Sequence, residues 1–304
     1  MTKPIGKPLK FEHGLTLIEL MVSLVIGLLL AIIASSTYLY SKQAYNSVTE
    51  NSQLEENGRF ALTLLARNIQ SAGFVAIDPA SAFPGGPNDI KVRGCDYGMV
   101  SPKTASSSSG LACQTSTPTG VSQSASIGIF YDTDAYSTSG SNYQGFDCLG
   151  NKSLYIPSTT GGSPTYRVSN YFFVSTSIAQ TPNGTTTMGQ LSCATDPTGS
   201  TSTWALPQPL IPGIYQFSVA YLTPSGIDKN TAQKANTAAT LEAANTWSQV
   251  TAVELCVLTK SIQPSGNDTS TQMKDCYDND FTPPPSQTFR RFTTVVNLRN
   301  RTSS

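Results

Sequence analysis

The longest apolar run of the chain lies close to its N-terminus. Residues 15–40 read LTLIELMVSLVIGLLLAIIASSTYLY, and Lys3, Lys7 and Lys10 precede them. A helix of this length would extend about 39 Å, which is enough to cross about 30 Å of hydrocarbon. The pattern predicts an export signal or membrane span whose basic flank stays in the cytoplasm.

One carboxylate interrupts this run. Glu19 stands about one helical turn into it. A lone acidic group in hydrocarbon costs about 2 to 3 kcal/mol, so we expect Glu19 to have a partner. A secretory signal cleaved near Ala34-Ser35-Ser36 and a plain uncleaved anchor are alternatives, but neither accounts for this charge.

The helical pattern continues beyond the apolar run. No proline occurs from residue 15 to residue 77, and residues 41–72 are rich in Ala, Leu, Gln and Glu. Helical spacing places five small or apolar residues on one stripe: Leu54, Ala61, Leu65, Ile69 and Ala72. The pattern predicts a helix that packs this stripe on a globular domain, with Gly73 as its C-cap.

Beyond Gly73 the pattern favours strands. Six apolar or alternating runs are bounded by Gly, Pro, Asn and Ser: 126–131, 153–156, 165–175, 214–222, 250–260 and 288–299. Two sets of alternating side chains are each expected on one strand face: Tyr215, Phe217, Val219 and Tyr221, and Val253, Leu255 and Val257. Residues 101–126 and 175–203 are expected as Ser/Thr/Gly-rich loops, and residues 229–245 as a short helix or a surface insertion.

Composition limits the possible chemistry. The 304 residues include only 12% charged side chains, with a net charge of zero, 23 glycines and 19 prolines. This profile is typical of exported β-rich domains and disfavours nucleic-acid binding. The single histidine, His13, precedes any predicted element, which disfavours catalysis or zinc binding through an imidazole. We predict no cofactor and no enzymatic activity.

Six cysteines, all beyond the predicted helix, indicate disulfides in an oxidising compartment. They are Cys95, Cys113, Cys148, Cys193, Cys256 and Cys276. Six cysteines allow about 15 pairings. Because short loops are the easiest to close, we favour pairing of neighbours: 95 with 113, 148 with 193, and 256 with 276. A metal cluster is the alternative, but no Cys-x-x-Cys spacing occurs.

Two groups of carboxylates invite other interpretations. Asp275, Asp278 and Asp280 could supply oxygen ligands to calcium, but their spacing does not match an EF-hand loop, and a solvated acidic turn is favoured. Asp132 and Asp134 suggest the paired carboxylates of a glycosidase, but polar turns after strands are common.

Three arginines near the C-terminus are expected on one strand face. Arg291, Arg299 and Arg301 could contact DNA, but a solvated edge or a subunit interface is favoured in a chain without net charge.

The residues around Glu19 carry a family resemblance. Residues 14–20, GLTLIEL, resemble the type IV prepilin signature, with a glycine before the cleavage site and a glutamate at the fifth mature position. The resemblance implies cleavage between Gly14 and Leu15 and N-methylation on the cytoplasmic face by a prepilin peptidase. The new ammonium of Leu15 would then neutralise Glu19 of a neighbouring subunit and set the register between helices.

A second resemblance involves the predicted spine and the C-terminus. Residues 53–62, QLEENGRFAL, together with 65–69, 72–74 and the ending FRRFTTVVNLRN at 289–300, look like PilW-type minor pilins. The stretch between them shows no resemblance to a known family. The family implies an α+β pilin-like fold similar to the J-type pseudopilin, in which a long N-terminal helix packs on an antiparallel β-sheet domain.

The resemblances suggest four regions: a cleaved leader 1–14, a transmembrane half-helix 15–40, an amphipathic half-helix 41–73 and a β-rich domain 74–304. They imply a minor pilin that helps to initiate pilus assembly and sits at the pilus tip, supporting motility and adhesion. Its partners would be other minor pilins, the major pilin, a tip adhesin, prepilin peptidase and inner-membrane lipid, without nucleic acid. It would be a single-pass inner-membrane protein with a periplasmic domain, later exposed on the pilus.

Two other classes are compatible with the residues. A pseudopilin of a type II secretion system has the same physics and differs in the filament it joins. An exported enzyme or carbohydrate-binding module would instead begin near Ser35.

Overall fold

A computed structural model provides the structure of the chain. It describes residues 16–74, 91–99, 113–117, 122–133, 137–138, 141–142, 146–151, 154–156, 165–181, 184–195, 206–224, 233–262, 271–285 and 287–300.

The predicted long helix is present. Helix α1 spans Leu17–Ser71, and the chain divides into one compact unit up to Thr49 and a second from Glu50 onward. In the second unit α1 buries one face that contains four residues of the predicted stripe, and the fifth, Ala72, is buried just after the helix; none of the five is more than 3% exposed. Glu50 and Gly58 extend the same face.

Two groups close the C-terminal end of α1. Gly73 adopts a φ of 71°, which favours glycine, and its N–H donates to the carbonyl of Phe130 at 2.8 Å. The side-chain amide of Asn300 donates to the last carbonyls of the helix, those of residues 70–72, at 3.3 to 3.4 Å. The far C-terminus therefore satisfies the backbone at the end of the first helix.

The remainder of the described domain is built mostly from antiparallel strands. The strands are β1 Val92–Cys95, β2 Ser126–Thr133, β3 Ser137–Thr138, β4 Ser141–Asn142, β5 Leu154–Ile156, β6 Thr165–Thr181, β7 Gly184–Thr195, β8 Gln208–Pro212, β9 Ile214–Pro224, β10 Gln233–Asn236, β11 Ala252–Lys260, β12 Met273–Lys274, β13 Asp280–Phe281 and β14 Phe289–Asn297. Helix α2, Ala238–Ala244, and a short 3-10 helix, Trp247–Gln249, lie between β10 and β11.

These strands form two principal sheets. One has the order β1-β2-β6-β7-β8, with β5 also paired to β6, and the other has the order β10-β9-β11-β14. The main core combines side chains from α1, both sheets and α2, and its largest fully buried members include Phe172, Phe217 and Tyr221. The α+β prediction, a long apolar N-terminal helix with an antiparallel β-sheet domain, is confirmed.

One predicted strand face is wrong at its first residue. Tyr215 does not share the core with Phe217, but packs on Phe281 and Phe289 in a second cluster, with ring centroids 5.9 and 5.1 Å away. The cause is a β-bulge between β9 and β11, where Leu258 faces Gln216 but Thr259 faces Ile214. The extra residue reverses the side-chain alternation at that point.

The predicted loop 175–203 is also wrong over all of its described length. β6 continues to Thr181, and β7 pairs with it from Gly184 to Thr195. Threonine is compatible with strands because its branched side chain suits a pleated surface, so a Ser/Thr-rich segment need not be a loop. The undecided segment 229–245 contains β10 and α2.

Gly58 permits close contact between α1 and β14. A Cβ atom at this position would overlap the ring of Phe292. In an exposed helix, alanine is more stabilising than glycine by about 1 kcal/mol. At position 58 we expect the opposite, because the added methyl group would be crowded against Phe292.

We therefore expect Gly58→Ala to destabilise the domain by about 1 to 3 kcal/mol, measured by thermal unfolding of the full chain in detergent. Combining it with Phe292→Ala should remove most of the added cost. A higher unfolding temperature for Gly58→Ala alone would show that this contact is not close.

Candidate functional site

The start of α1 carries the predicted assembly residue. Gly14 and Leu15, the predicted processing residues, lie outside the described residues, and Glu19 occupies the first turn of the helix. The backbone N–H of Glu19 donates to the carbonyl of Thr16 at 3.1 Å and lies 3.4 Å from its hydroxyl oxygen. Thr16 is therefore the N-cap residue, a role that the sequence analysis missed.

The local structure of the helix also favours a carboxylate at position 19. Thr16 and Glu19 have the spacing of a capping box, and a carboxylate in the first turn interacts favourably with the helix dipole. That spacing was readable from the sequence. The dipole stabilises the charge by about 0.3 to 1 kcal/mol, which is less than the cost of placing it in hydrocarbon.

The helix that follows Glu19 is exposed and apolar. Its large hydrophobic side chains from Leu17 to Ile33 are each more than half exposed, and its most apolar 18-residue window has a mean hydropathy of 2.8. By length and composition alone this helix can cross a membrane, a test that signal sequences also pass.

Three hydroxyl groups of this segment have partners within the helix. Ser23 donates to the carbonyl of Leu20 at 2.9 Å, and Ser36 and Thr37 donate to that of Ile33 at 2.9 and 2.8 Å. These bonds satisfy the hydroxyls without water. The carboxylate of Glu19, by contrast, has no side-chain partner among the described residues.

Three disulfides fasten the β domain, as expected for an exported protein. They join Cys95 to Cys113, Cys148 to Cys193 and Cys256 to Cys276, with Cα–Cα distances of 5.3, 6.5 and 5.5 Å. These are the pairs of neighbours named from the sequence. The third links β11 to the aspartate-rich loop and covers the second face of β11.

The three aspartates of that loop all have partners within the protein. Asp275 accepts the backbone N–H groups of Tyr277 and Asn279 at 2.8 and 2.9 Å. Asp278 pairs with Arg291 at 2.7 Å, and Asp280 with Lys274 at 2.7 Å.

A calcium ion would have to replace these protein donors. In the part of the chain that the structure describes, no group of three or more His, Cys, Asp or Glu side chains is arranged to hold a metal ion. In this structure the carboxylates of Asp275 and Asp280 therefore stabilise the loop itself, and that of Asp278 links it to β14.

Comparison with known proteins finds two family models in the chain. The prokaryotic N-terminal methylation motif matches residues 9–35, and the type IV pilus-assembly protein W family, PilW, matches residues 171–300. The first range contains Gly14, Leu15 and Glu19, and the second runs from β6 through β14.

The two family matches together support a PilW-type minor pilin. The family match also covers residues 171–288, where the sequence pattern alone showed no resemblance. The methylation motif and the family imply processing by a prepilin peptidase, anchoring in a membrane and partners within a pilus. PilW-type pilins are structural proteins rather than enzymes.

A solved structure is distantly similar to this pilin. The type IV-like pilin TTHA1219 from Thermus thermophilus matches 82% of this chain and 97% of its own, with 14% identity and a TM-score of 0.40. Similarity at this level carries no inference about function. Curated proteins give no match.

The remaining candidate residues of the pilin do not form one site. Arg291 lies in β14 and pairs with Asp278, whereas Arg299 lies beyond the end of that strand, so the predicted common strand face is wrong for Arg299. Arg301 and Asp134 lie outside the described residues, and Asp132 is near the end of β2.

The Asp275 turn gives the pilin a predicted acid sensitivity. Desolvation acts to raise the pKa of Asp275, but hydrogen bonds from the backbone of Tyr277 and Asn279 and from the amides of Gln216 and Asn279 outweigh it and hold the pKa below the ordinary value of 3.8. Because the folded pKa is depressed, this stabilisation is present above the unfolded pKa and is lost as pH falls through the folded pKa.

Thermal unfolding of the full chain should therefore show an acid-side loss of stability below about pH 4 that is smaller in Asp275→Asn. Asp280→Asn is the control, since the Lys274–Asp280 pair is more than half exposed and exposed pairs contribute little. Equal acid profiles for Asp275→Asn and the unchanged chain would contradict this role of Asp275.

Proposed function

We propose that this pilin joins the minor-pilin complex that initiates type IV pilus assembly in the inner membrane and then stays at the filament tip. The observation that carries the proposal is Glu19, a carboxylate without a side-chain partner among the described residues, at the start of an exposed apolar helix. A group of this kind requires a partner from another molecule once the helix is in lipid.

The proposed partner is the N-terminus of a neighbouring subunit. Cleavage after Gly14 would leave the ammonium of Leu15 at the start of each mature helix. When two helices pack in stagger, this ammonium and Glu19 of the neighbour neutralise each other, whereas a shifted register leaves both charges unpaired in lipid. The pair therefore selects a register in addition to stabilising contact.

The proposed arrangement in the cell follows from the same elements. The leader 1–14 stays in the cytoplasm until it is removed, residues 15–40 span the inner membrane, and residues 41–73 and 74–304 lie in the periplasm. The three disulfides support this orientation, because disulfides persist in oxidising compartments. In the filament the domain would face other minor pilins, the major pilin and a tip adhesin, and support motility and adhesion.

The processing step predicts a defined N-terminus. Mass spectrometry of the N-terminal peptide, from membranes and from sheared surface filaments, should find a mature chain that begins at N-methylated Leu15. A chain that begins near Ser35, or an intact Met1, would contradict the proposal and favour a conventional signal or an uncleaved anchor.

The assembly step predicts a separation between processing and piliation. Glu19→Ala should still be cleaved and should fold, since the variant leaves the cleavage site and the β domain unchanged, but it should not support surface pili. Ser23→Ala is the matched control, because Ser23 lies one turn further along and its hydroxyl is satisfied within the helix. Normal piliation with Glu19→Ala would contradict charge pairing.

Two further measurements separate the filament and the position within it. Immunogold labelling should mark one end of each pilus, and labelling along the length would contradict the tip position. A strain without this chain should lose pili and keep secretion of exported enzymes. The opposite result would assign the chain to a type II secretion filament.

A further inference from the structure

A cleft in the β domain has the chemistry of a ligand site that the proposed assembly function does not use. It measures about 840 Å³, within the range of small-molecule sites. β6 and β7 contribute to its lining, together with the segment after β1, Gln114, residues 122–125 of the chain before β2, and Tyr215 and Lys260.

Lys260 is a cation in this cleft that lacks an acidic partner among the described residues. The cleft's described lining includes no Asp or Glu, and the ammonium lies 6.0 Å from the ring centroid of Tyr215. That distance is at the outer limit of a cation–π contact, which compensates the charge only weakly. Burial lowers the pKa of Lys260, and no opposing contribution from an anion accompanies it.

The polar atoms around Lys260 retain unused hydrogen-bonding capacity. The hydroxyl of Ser122 accepts from the Gln216 amide at 3.2 Å, and that of Ser124 accepts from the N–H of Phe217 at 3.3 Å, so each keeps its own proton for donation. Gln114 contributes to the lining of the cleft, but its Oε1 atom is buried out of reach of a molecule in the cleft.

The position of Gln114 is fixed by the surrounding backbone. Its N–H donates to the carbonyl of Gly98 at 3.0 Å and its side-chain amide to that of Met99 at 3.3 Å. The neighbouring Cys113 pairs with Met99 in a β-bridge and forms a disulfide with Cys95. The wall of the cleft at Gln114 is therefore held in place, as a preformed site requires.

The cleft lies where the outer edges of β6 and β7 have no partner strand among the described residues. The two strands pair with each other, but β2 pairs with β6 only up to Phe173 and β8 pairs with β7 only from Gln190. A molecule in the cleft can therefore meet backbone groups as well as side chains. Hydroxyl donors, free backbone groups and aromatic rings together suit a molecule whose own hydroxyl groups both donate and accept.

We propose that this cleft binds an acidic carbohydrate, a short oligosaccharide whose carboxylate, of the uronate or sialate class, pairs with Lys260. Ser122 and Ser124 bind the sugar hydroxyls, and Tyr215 lies beside the charged group. The site does not depend on the tip position or on Glu19, so its test and the assembly tests fail independently.

The test is isothermal titration of the full-length protein in a detergent without a sugar headgroup. The probes are trigalacturonate and sialyllactose, with maltotriose and lactose as their neutral counterparts. We expect at least one acidic sugar to bind with a Kd at or below about 1 mM and both neutral sugars to bind at least about tenfold more weakly.

Variants of Lys260 test whether binding depends on the positive charge of this side chain or only on its size. Lys260→Gln should raise the Kd of the acidic sugar at least about tenfold, and Lys260→Arg should retain most of the affinity. Lys234→Gln removes an exposed lysine of β10 outside the cleft and should leave the Kd unchanged. Thermal unfolding of each variant verifies that the domain is folded.

Three results would overturn the proposal. In the first, neither acidic sugar binds. In the second, acidic and neutral sugars bind equally well and Lys260→Gln has no effect. In the third, the blocked peptide Ala-Glu-Ala binds more tightly than both acidic sugars, which would identify a docking site for an acidic segment of a protein.

Discussion

The packing of the second half of α1 into the core is the interaction on which the rest of the domain depends. A stripe of mostly apolar residues from Leu54 to Ala72 is buried against both sheets, so neither sheet has a complete core without the helix. Gly58 lets β14 approach closely, and Asn300 closes the helix end from the far end of the described chain. The first and last described segments are thereby held together, which makes folding of the domain dependent on contacts distant in sequence.

Polar bonds fix where the helix lies along the sheets. Asn170 is 1% exposed, and its amide donates to the side chain of Asn68 on α1 at 2.9 Å while its oxygen accepts the N–H of Cys148 at 3.0 Å. Asn57 donates to the carbonyl of Pro212 at 3.1 Å. Apolar packing alone would tolerate a small slide, but a slide would leave the buried amide of Asn170 without its partners. The polar bonds thus supply a single register where the apolar stripe supplies most of the stability.

Sequence patterns predicted the parts of this fold that depend on local regularity. The proline-free helix, its buried stripe, the Gly73 cap and six strands all follow from spacing and turn residues. β7 was missed because its threonine-rich sequence lacks an apolar alternation, and Tyr215 was placed on the wrong face because a bulge depends on the pairing partner. Glu19 was predicted because a charged residue within an apolar run can be recognised from the sequence alone. The cleft around Lys260 was not, because Gln114, Ser122 and Lys260 come from separate segments.

Some charged residues of this chain are paired within the fold, whereas we expect others to require a partner outside the chain. Only 12% of its residues are charged, and several that join elements of the described domain are paired: Glu242 accepts from both Arg93 and the indole of Trp247, and Asp278 pairs with Arg291. Glu19 and Lys260 differ, since each lies in or beside apolar or aromatic surroundings without an opposite charge among the described residues. Solvent stabilises an unpaired charge on an open surface, but does so less well as the surroundings become apolar. A charge that is neither well solvated nor paired within its own chain is best satisfied by another molecule, and the two proposed partners differ: a neighbouring helix terminus for Glu19 and a carboxylate ligand for Lys260.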